Sequence, residues 1–539
     1  MHEPHRGARQ APALIILAGG QATRLGPLGY GGKPLVSLGD RPALIHQLVQ
    51  ARDLGIKNVA IVTPPGAVGK RIMKVARRVA GVQVVNVSQD RPLGPAHAVL
   101  IGSHEVLSRW KNQTAIVIMA DTIIDTEDMK SLLRQTASVA AVHRTSEHRP
   151  WCSVDPRSGT WIDGVFPKPG NGLVVAVGAY HIDTQAVVSW GKNAANERKA
   201  GAEMLMAPLL NHLRARTVAA MNWQDVGDIG AVIKARTQRA VSRPHHNISV
   251  DRYGYVSKKG DVQGEMFAYK DLSDIAPEIM PDIQLLSPTE IRMRHATGIS
   301  LAELLLYHDV PAATWKQIVS HVIDTVDETL WQRKGSRIPT EADWMERCEY
   351  MYWTKLEERF HAWADELKSF NRLIINDDEY AAGADVIDRV GLELTKAREV
   401  EYEMCCVPVH GDLNFMNIFV DLQSGRVTLI DPRPKWGNSG REDRYGDLAY
   451  EIAKLQYSYM DGFCAISHDL HKIFIEGNKV KLKIPNTMDI GDPVGEPPSP
   501  QTALLRAAIL LSAMPLHTPN QARALYVRGI LEANAGLSW

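Results

Sequence analysis

Cysteine is scarce in this 539-residue sequence: Cys152, Cys348, Cys405, Cys406 and Cys464 are all it has, and no two stand in CxxC spacing. That argues against a disulfide framework or a cysteine-based zinc site and fits a reducing compartment. Net charge is missing too. Lys plus Arg number 61 and Asp plus Glu number 61, so no global field favours nucleic acid or an anionic membrane as partner. Long apolar runs are also lacking. The stretches at 14–18 and 507–513 fall far short of the roughly 20 residues a membrane helix needs. Residues 1–10 are polar, unlike a signal peptide, and the expectation is a soluble, cytoplasmic protein. No internal repeat or low-complexity block appears. What remains is ordinary globular composition, 45% hydrophobic and 23% charged, long enough for two large domains or three smaller ones.

The first 240 residues alternate short apolar runs with helical periodicity. Runs at 13–17, 58–63, 82–87 and 115–119 read as strands; 43–54 and 70–79 read as helices. Such alternation predicts βαβ units and a mostly parallel sheet, with ligands at the carboxyl ends of the strands. The segment 237–251 is polar, holds Pro244 and the pair His245–His246, and lacks apolar periodicity. It predicts a linker at 241–250 between a domain at 1–240 and one at 251–539. A solvated His pair is the simpler reading there than a metal site. Beyond it, 253–259 reads as strand or hairpin, 300–398 as long helices, 407–429 as strand–loop–strand, and the tail from 502 as helical.

The first strand runs directly into Leu17-Ala-Gly-Gly-Gln-Ala-Thr-Arg-Leu25. Gly19 and Gly20 let backbone N–H groups approach a phosphate closely. Arg24 adds a fixed positive charge, and Lys33-Pro34 follows. The Walker spacing is absent, and a Gly-rich βα turn with incidental basic residues fits this segment alone.

Further segments follow in order: Gln89-Asp-Arg-Pro-Leu-Gly94, Asp121 at a strand end, Phe166-Pro-Lys-Pro169, Val177-Gly-Ala-Tyr180 and Trp223-Gln-Asp-Val-Gly227. Together with L-x-G-G-x-A-T-R-L…K-P, this series resembles the sugar-nucleotidyltransferase family over roughly residues 12–236. The resemblance implies a Rossmann-like α/β/α domain in which Gln89 and Gly94 read the base and Asp121 and Asp225 hold Mg²⁺. It also implies that Lys168 meets the acceptor phosphate, while Arg24 and Lys33 neutralise the triphosphate. Gly32 in place of Pro, Pro167 in place of Glu and a spacing from Arg24 to Lys33 one residue shorter are departures that bear on acceptor identity.

The sharpest motif is Val409-His-Gly-Asp-Leu-Asn-Phe-Met-Asn-Ile418, followed by Val427-Thr-Leu-Ile-Asp-Pro-Arg433. The five-residue step from Asp412 to Asn417 is the spacing of a kinase catalytic loop, whose Asp accepts a hydroxyl proton and whose Asn holds Mg²⁺. Asp431 stands at the second metal position. Upstream, Lys258 with Glu265 at the start of a helical pattern suits the phosphate-binding Lys–Glu pair; a solvated hairpin lysine fits the same residue. The form H-G-D-L-x-x-x-N…I-D resembles the choline-kinase/aminoglycoside-phosphotransferase family. It implies a bilobal protein-kinase-like (α+β) domain acting on a small molecule with ATP. His410 and Asp447 read as structural, and Trp315, Trp331, Trp344, Trp353 and Trp363 as core rather than a cation cage.

The two halves suggest a sequence of reactions. A kinase makes a phosphomonoester and a nucleotidyltransferase consumes one with an NTP, UTP or dTTP ahead of CTP, for surface polysaccharide or glycoconjugate synthesis. The expected partners are small molecules, and a homo-oligomer is open. Two unlinked activities, one an antibiotic-type kinase, and a nucleotide-binding protein with one inactive half are the competing readings.

Overall fold

The computed structural model describes residues 11–20, 25, 32–39, 41–168, 170, 172–197, 203–238, 246–251, 253–333, 338–398, 405–438, 444–485 and 500–537. The chain divides into two compact units, Met1–Arg239 and Ala240–Trp539.

In the first unit β1 (Ala13–Leu17), β2 (Asn58–Thr63), β3 (Gln83–Ser88) and β4 (Thr114–Met119) pair in parallel in the order β4-β1-β2-β3. All five residues of β1 are buried, the signature of a strand covered on both faces. The chain adds β5 (Thr122–Ile124), β6 (Val139–Thr145), β7 (Trp151–Val154), β8 (Trp161–Val165), β9 (Leu173–Asp183), β10 (Arg216–Ala219) and β11 (Trp223–Asp225). The main sheet runs β10-β6-β9-β4-β1-β2-β3. Here the structure is less uniformly parallel than the pattern predicts. β9 lies antiparallel to both β4 and β6, because it follows the β7–β8 hairpin rather than a crossover helix. β11 leaves this sheet and pairs antiparallel with β5.

The helices are α1 (Ala43–Asp53), α2 (Ala67–Ala76), α3 (Pro95–Trp110), α4 (Thr126–Leu133), α5 (Thr184–Glu197), α6 (Met206–His212) and α7 (Ile229–Gln238). α2 starts three residues before the helical pattern at 70–79, immediately after Gly66 at φ 81°. α4 is capped by Asp125, whose carboxylate accepts the Asp128 N–H at 2.8 Å, a standard stop for an orphan amide. Ile15 and Leu17 of β1 pack in one apolar cluster with Val99, Val106, Tyr180 and Leu210.

The second unit opens with β12 (His246–Val250) and β13 (Tyr255–Gly260), then α8 (Gln263–Ile275), β14 (Ile283–Ser287) and β15 (Glu290–Arg294). The strands form an antiparallel sheet in the order β12-β13-β15-β14. The linker expectation is corrected here. Residues 239–245 lie outside the described set, but 246–250 are an edge strand, with Ile248 opposite Lys258. Two alternating apolar residues, Ile248 and Val250, were too short a pattern to read. The Asp251 carboxylate closes the hairpin by accepting the N–H groups of Tyr253 at 2.8 Å and Tyr255 at 3.0 Å.

Next come β16 (Ile299–Ser300), α9 (Leu301–Tyr307), α10 (Ala312–Val326), α11 (Glu341–Glu349) and α12 (Lys355–Ala362). The helical reading of 300–398 also needs correction. A hairpin, β17 (Arg372–Ile375) and β18 (Asp378–Ala381), interrupts it before α13 (Ala384–Arg398). The chain finishes with β19 (Cys406–Pro408), β20 (Ile418–Val420), β21 (Val427–Leu429), β22 (Tyr445–Asp447), α14 (Leu448–Tyr459), α15 (Phe463–Ser467), β23 (Lys472–Glu476), β24 (Lys479–Lys483), α16 (Pro500–Ala513) and α17 (Pro519–Gly536). Trp315 and Trp344 are fully buried and Trp331 and Trp363 nearly so, which makes them core. Among the described residues no helix is long and apolar enough to cross a membrane.

Candidate functional sites

In the first unit the site forms where the parallel strands end. Gly19 follows β1 and lies against Gln89, which follows β3. A Cβ on Gly19 would stand 2.5 Å from Gln89 Oε1, so any other residue here would displace the Gln89 amide. Gln89 is buried, its amide nitrogen 3.1 Å from His97 Nδ1. Gly94, at φ 95°, precedes α3. A Cβ there would come within 2.6 Å of the Met204 backbone, which clamps the loop by accepting the Ala96 N–H at 3.0 Å and donating to Leu93 O at 2.7 Å. Gly20 is exposed beside Gly19, and Arg24 lies outside the described residues.

Asp121 and Asp225 are brought together by backbone pairing. Asp225 is the partner of Thr122 in the β5–β11 ribbon, and Asp121 O accepts the Val226 N–H at 2.9 Å. Each carboxylate carries its own cation: Lys33 pairs with Asp121 and Arg149 pairs with Asp225. Asp225 also accepts the Gly227 N–H at 2.7 Å. Burial, then the neighbouring Asp121 charge, raises the Asp225 carboxyl above its ordinary range, against the pull of Arg149. Two converging carboxylates that already attract cations fit a hard divalent ion such as Mg²⁺. Arg149, stacked 3.8 Å over the Trp151 ring, was not legible in the sequence, since it belongs to no motif. Lys168 lies exposed in the loop after β8, and among the described residues no contact joins it to the carboxylate pair.

In the second unit Lys258 on β13 and Glu265 on α8 are both buried, 2.5 Å apart. The same ammonium donates to Asp431 at 3.2 Å. Burial and the Asp431 charge raise the Glu265 carboxyl. Asp431 adopts φ 55°, a sparsely populated conformation for a residue with a side chain. It is held there by its N–H, which donates to the Tyr269 hydroxyl at 2.8 Å. Asn417 Nδ2 donates to the Asp412 carbonyl at 2.9 Å and to its carboxylate at 3.1 Å. Thus Lys258, Glu265 and Asp431 form one group, and Asp412 and Asn417 another, joined through the strand pair β20–β21 that separates Asn417 from Asp431.

The loop carrying Asp412 is fastened by one stripe of α14. Glu451 accepts the N–H groups of His410 at 2.9 Å and Gly411 at 2.8 Å. Lys454 donates to Asp412 at 2.8 Å, and Ser458 Oγ accepts the Phe415 N–H at 3.2 Å. Asp447 caps the helix, accepting the Ala449 N–H at 2.8 Å. Arg444 donates to the carbonyls of Val409, His410, Arg433 and Pro434 at 2.7–3.1 Å. Burial drives His410 down to about 4 and Glu451 up to about 7, so His410 is a neutral packing residue at neutral pH. Lys454, Glu451, Arg444 and Tyr269 escaped the sequence reading. Only the helical spacing of 447, 451, 454 and 458 could have signalled the stripe.

Residues 14–244 match the model of the MobA-like NTP transferase domain. Curated proteins similar to this chain include glucose-1-phosphate thymidylyltransferase of Streptomyces antibioticus, 37% identical over 93 residues, covering 16% of this chain and 25% of that one. The Mycolicibacterium smegmatis protein of the same name is 31% identical over 128 residues, 23% of this chain and 43% of that one. Mannose-1-phosphate guanylyltransferase catalytic subunit beta of Drosophila melanogaster is 30% identical over 113 residues, 21% and 30% of the two chains. The matched segments thus span less than half the length of these relatives. The first unit carries a nucleotidyltransferase domain of mixed α/β architecture built on a parallel sheet.

Proposed function

We propose that the chain is a bifunctional enzyme: a small-molecule kinase in the second unit and a sugar-phosphate-type nucleotidyltransferase in the first. The second unit is read as a bilobal kinase-like domain. The observation that carries this is the convergence of Lys258, Glu265 and Asp431 from positions 173 residues apart, with Asp412 and Asn417 on the adjoining loop. That is the set phosphoryl transfer needs to hold ATP and orient a hydroxyl. Asp412 takes the proton of the acceptor hydroxyl, whose oxygen forms a bond to the γ-phosphorus as the bond to ADP breaks.

In the first unit the phosphomonoester so formed attacks the α-phosphorus of an NTP, and pyrophosphate leaves. No general base is needed, because the monoester is largely ionised at neutral pH. Gly19 and Gly20 approach the triphosphate, Gln89 and Gly94 contact the base, and Arg24, Lys33 and Lys168 neutralise phosphate charge. Mg²⁺ held by Asp121 and Asp225 here, and by Asn417 and Asp431 in the kinase site, would supply charge neutralisation at the transferring phosphates. UTP or dTTP is favoured, in keeping with the thymidylyltransferase names among the relatives, and CTP is the second choice. The product, NDP-X, suits surface polysaccharide or glycoconjugate synthesis in the cytoplasm.

The test is mass spectrometry of purified protein with Mg²⁺, ATP, the other NTPs and a library of polyols, sugars and their acids. A compound gaining a phosphate and then a nucleoside monophosphate is expected. Asp412→Asn should lower the first step by about three orders of magnitude or more and spare the second when X-phosphate is supplied. Loss of both steps would sink the two-site reading.

A further inference from the structure

Close to Asp412 the second unit gathers more buried and half-buried positive charge than the described carboxylates balance. Lys355 opens α12 directly after a π-helical turn, Tyr350–Thr354, a local irregularity that often accompanies functional sites. The residue is 4% exposed. Among the described residues its ammonium has a single hydrogen-bonding neighbour, the Met351 thioether at 3.7 Å, a weak acceptor for a group with three protons to donate. The Tyr450 ring lies 5.7 Å away. Burying an ammonium with so little compensation is costly. Burial is accordingly the first reason its pKa falls well below the ordinary lysine range; repulsion from Arg433, Arg359 and Lys454 adds to it, and Asp412 opposes it.

The neighbouring cations are built in, not incidental. Arg433 lies flat against the catalytic loop, and a Cβ on Gly411 would stand 2.7 Å from Arg433 Cβ. Its Nε donates to Gly411 O at 3.2 Å and one terminal nitrogen approaches the Tyr450 hydroxyl at 3.4 Å. Among the described residues the other has only the Met351 sulfur at 4.0 Å. Arg359 is tied to Ser512 O at 2.6 Å. Lys454 is committed to Asp412. Among the described residues, against Lys355, Arg359, Arg433 and Lys454 stands the Asp412 carboxylate; Glu451 is occupied by two backbone N–H groups. A cationic acceptor such as an amino alcohol would need the reverse, acids and open aromatic faces.

We propose that the acceptor of the second unit is itself an acid, a hydroxy compound whose carboxylate or phosphoryl group is bound by Lys355 and Arg433 beside Asp412. This rests on the kinase reading of the unit. The anion supplies the acceptors that the Lys355 ammonium and the outer Arg433 nitrogen lack, and it fixes the hydroxyl to be phosphorylated at the Asp412 carboxylate. Charge-assisted hydrogen bonds of this type are about twice as strong as neutral ones.

The test is calorimetric titration of the full chain, with Mg²⁺ and a non-hydrolysable ATP analogue bound, against D-glycerate, gluconate, glycerol 3-phosphate, glycerol, ribitol and choline. Binding of an acid is expected, with the neutral polyols and choline weaker by about tenfold or more. The two acid classes distinguish a carboxylate from a phosphoryl group as the recognised anion. Lys355→Met and Arg433→Met should each weaken the acid by about tenfold while the analogue binds as before. That split separates acceptor recognition from a general structural role. The proposal is overturned if choline or a neutral polyol binds as well as the acids, if no acid binds, or if both variants leave acid binding unchanged. Loss of analogue affinity in the variants would also overturn it, since the cations would then serve the nucleotide. Failure of the kinase reading shows separately, as an analogue that does not bind the unaltered chain.

Discussion

Gly19 is a position where one methyl group should be felt. The Cβ of Gly19→Ala would meet Gln89 Oε1 at 2.5 Å, and the amide, not the backbone, would yield. If Gln89 reads the base, Gly19→Ala and Gln89→Ala should share one phenotype, a rise in KM for the NTP of about tenfold, the worth of a hydrogen bond. Stability should change little in Gly19→Ala. Steady-state kinetics of nucleotidyl transfer check this, and an unchanged KM would remove Gln89 from the nucleotide site. Legibility at this scale was uneven. Residues inside a spaced motif, Asp412, Asn417 and Asp431, could be named from sequence. Arg149 and Lys454 could not, because each is chosen by a fold that brings it to a carboxylate 76 or 42 residues away.

The loop that carries Asp412 shows what an element does with buried charge. Its His410 ring is fully buried and titrates at about 4 rather than 6.5. The unfolded chain therefore binds a proton below pH 6.5 that the folded chain refuses until about pH 4. The neutral ring's share of stability is complete above pH 6.5 and disappears as pH falls through that window. Glu451, raised to about 7 from 4.5, has the opposite sign: the folded chain holds the proton longer, and stability falls as pH rises from 4.5 to 7. The two slopes offset each other where they overlap. His410→Gln should unmask the loss. The stability of the unaltered protein minus that of the variant should rise by about 3 kcal/mol between pH 4 and 6.5. Denaturant unfolding across that range measures it, and a flat difference would mean the ring is already protonated in the fold. Elements were legible where their apolar pattern was unbroken. The apolar run of β1 could be read; β12 and the β17–β18 hairpin, four or five residues each, gave too few alternations.

At the scale of the whole molecule, the two units each hold their own core and their own constellation. The proposed chemistry of one should therefore survive damage to the other. Asp121→Asn should lower nucleotidyl transfer by about two orders of magnitude or more, with phosphorylation of the acceptor unchanged, as followed by ADP release. Loss of ADP release as well would show that the first unit's carboxylate serves both reactions. The broad α/β class of the first unit followed from its alternating runs. The antiparallel place of β9 did not, since it follows from a hairpin standing where a crossover helix would have been needed, and that is not written in periodicity.

The stripe on α14 has a consequence for how the Asp412 loop can change. Residues 451, 454 and 458 grip loop positions 410–411, 412 and 415 in the same order, so helix and loop advance together like teeth on a rack. An insertion or deletion in either would put every tooth out of step at once, whereas a side-chain exchange in the loop leaves the engagement intact. On the proposed kinase reading, sequence drift can therefore retune which compound reaches Asp412 while the spacing of the loop residues stays fixed by a helix that need not touch that compound at all.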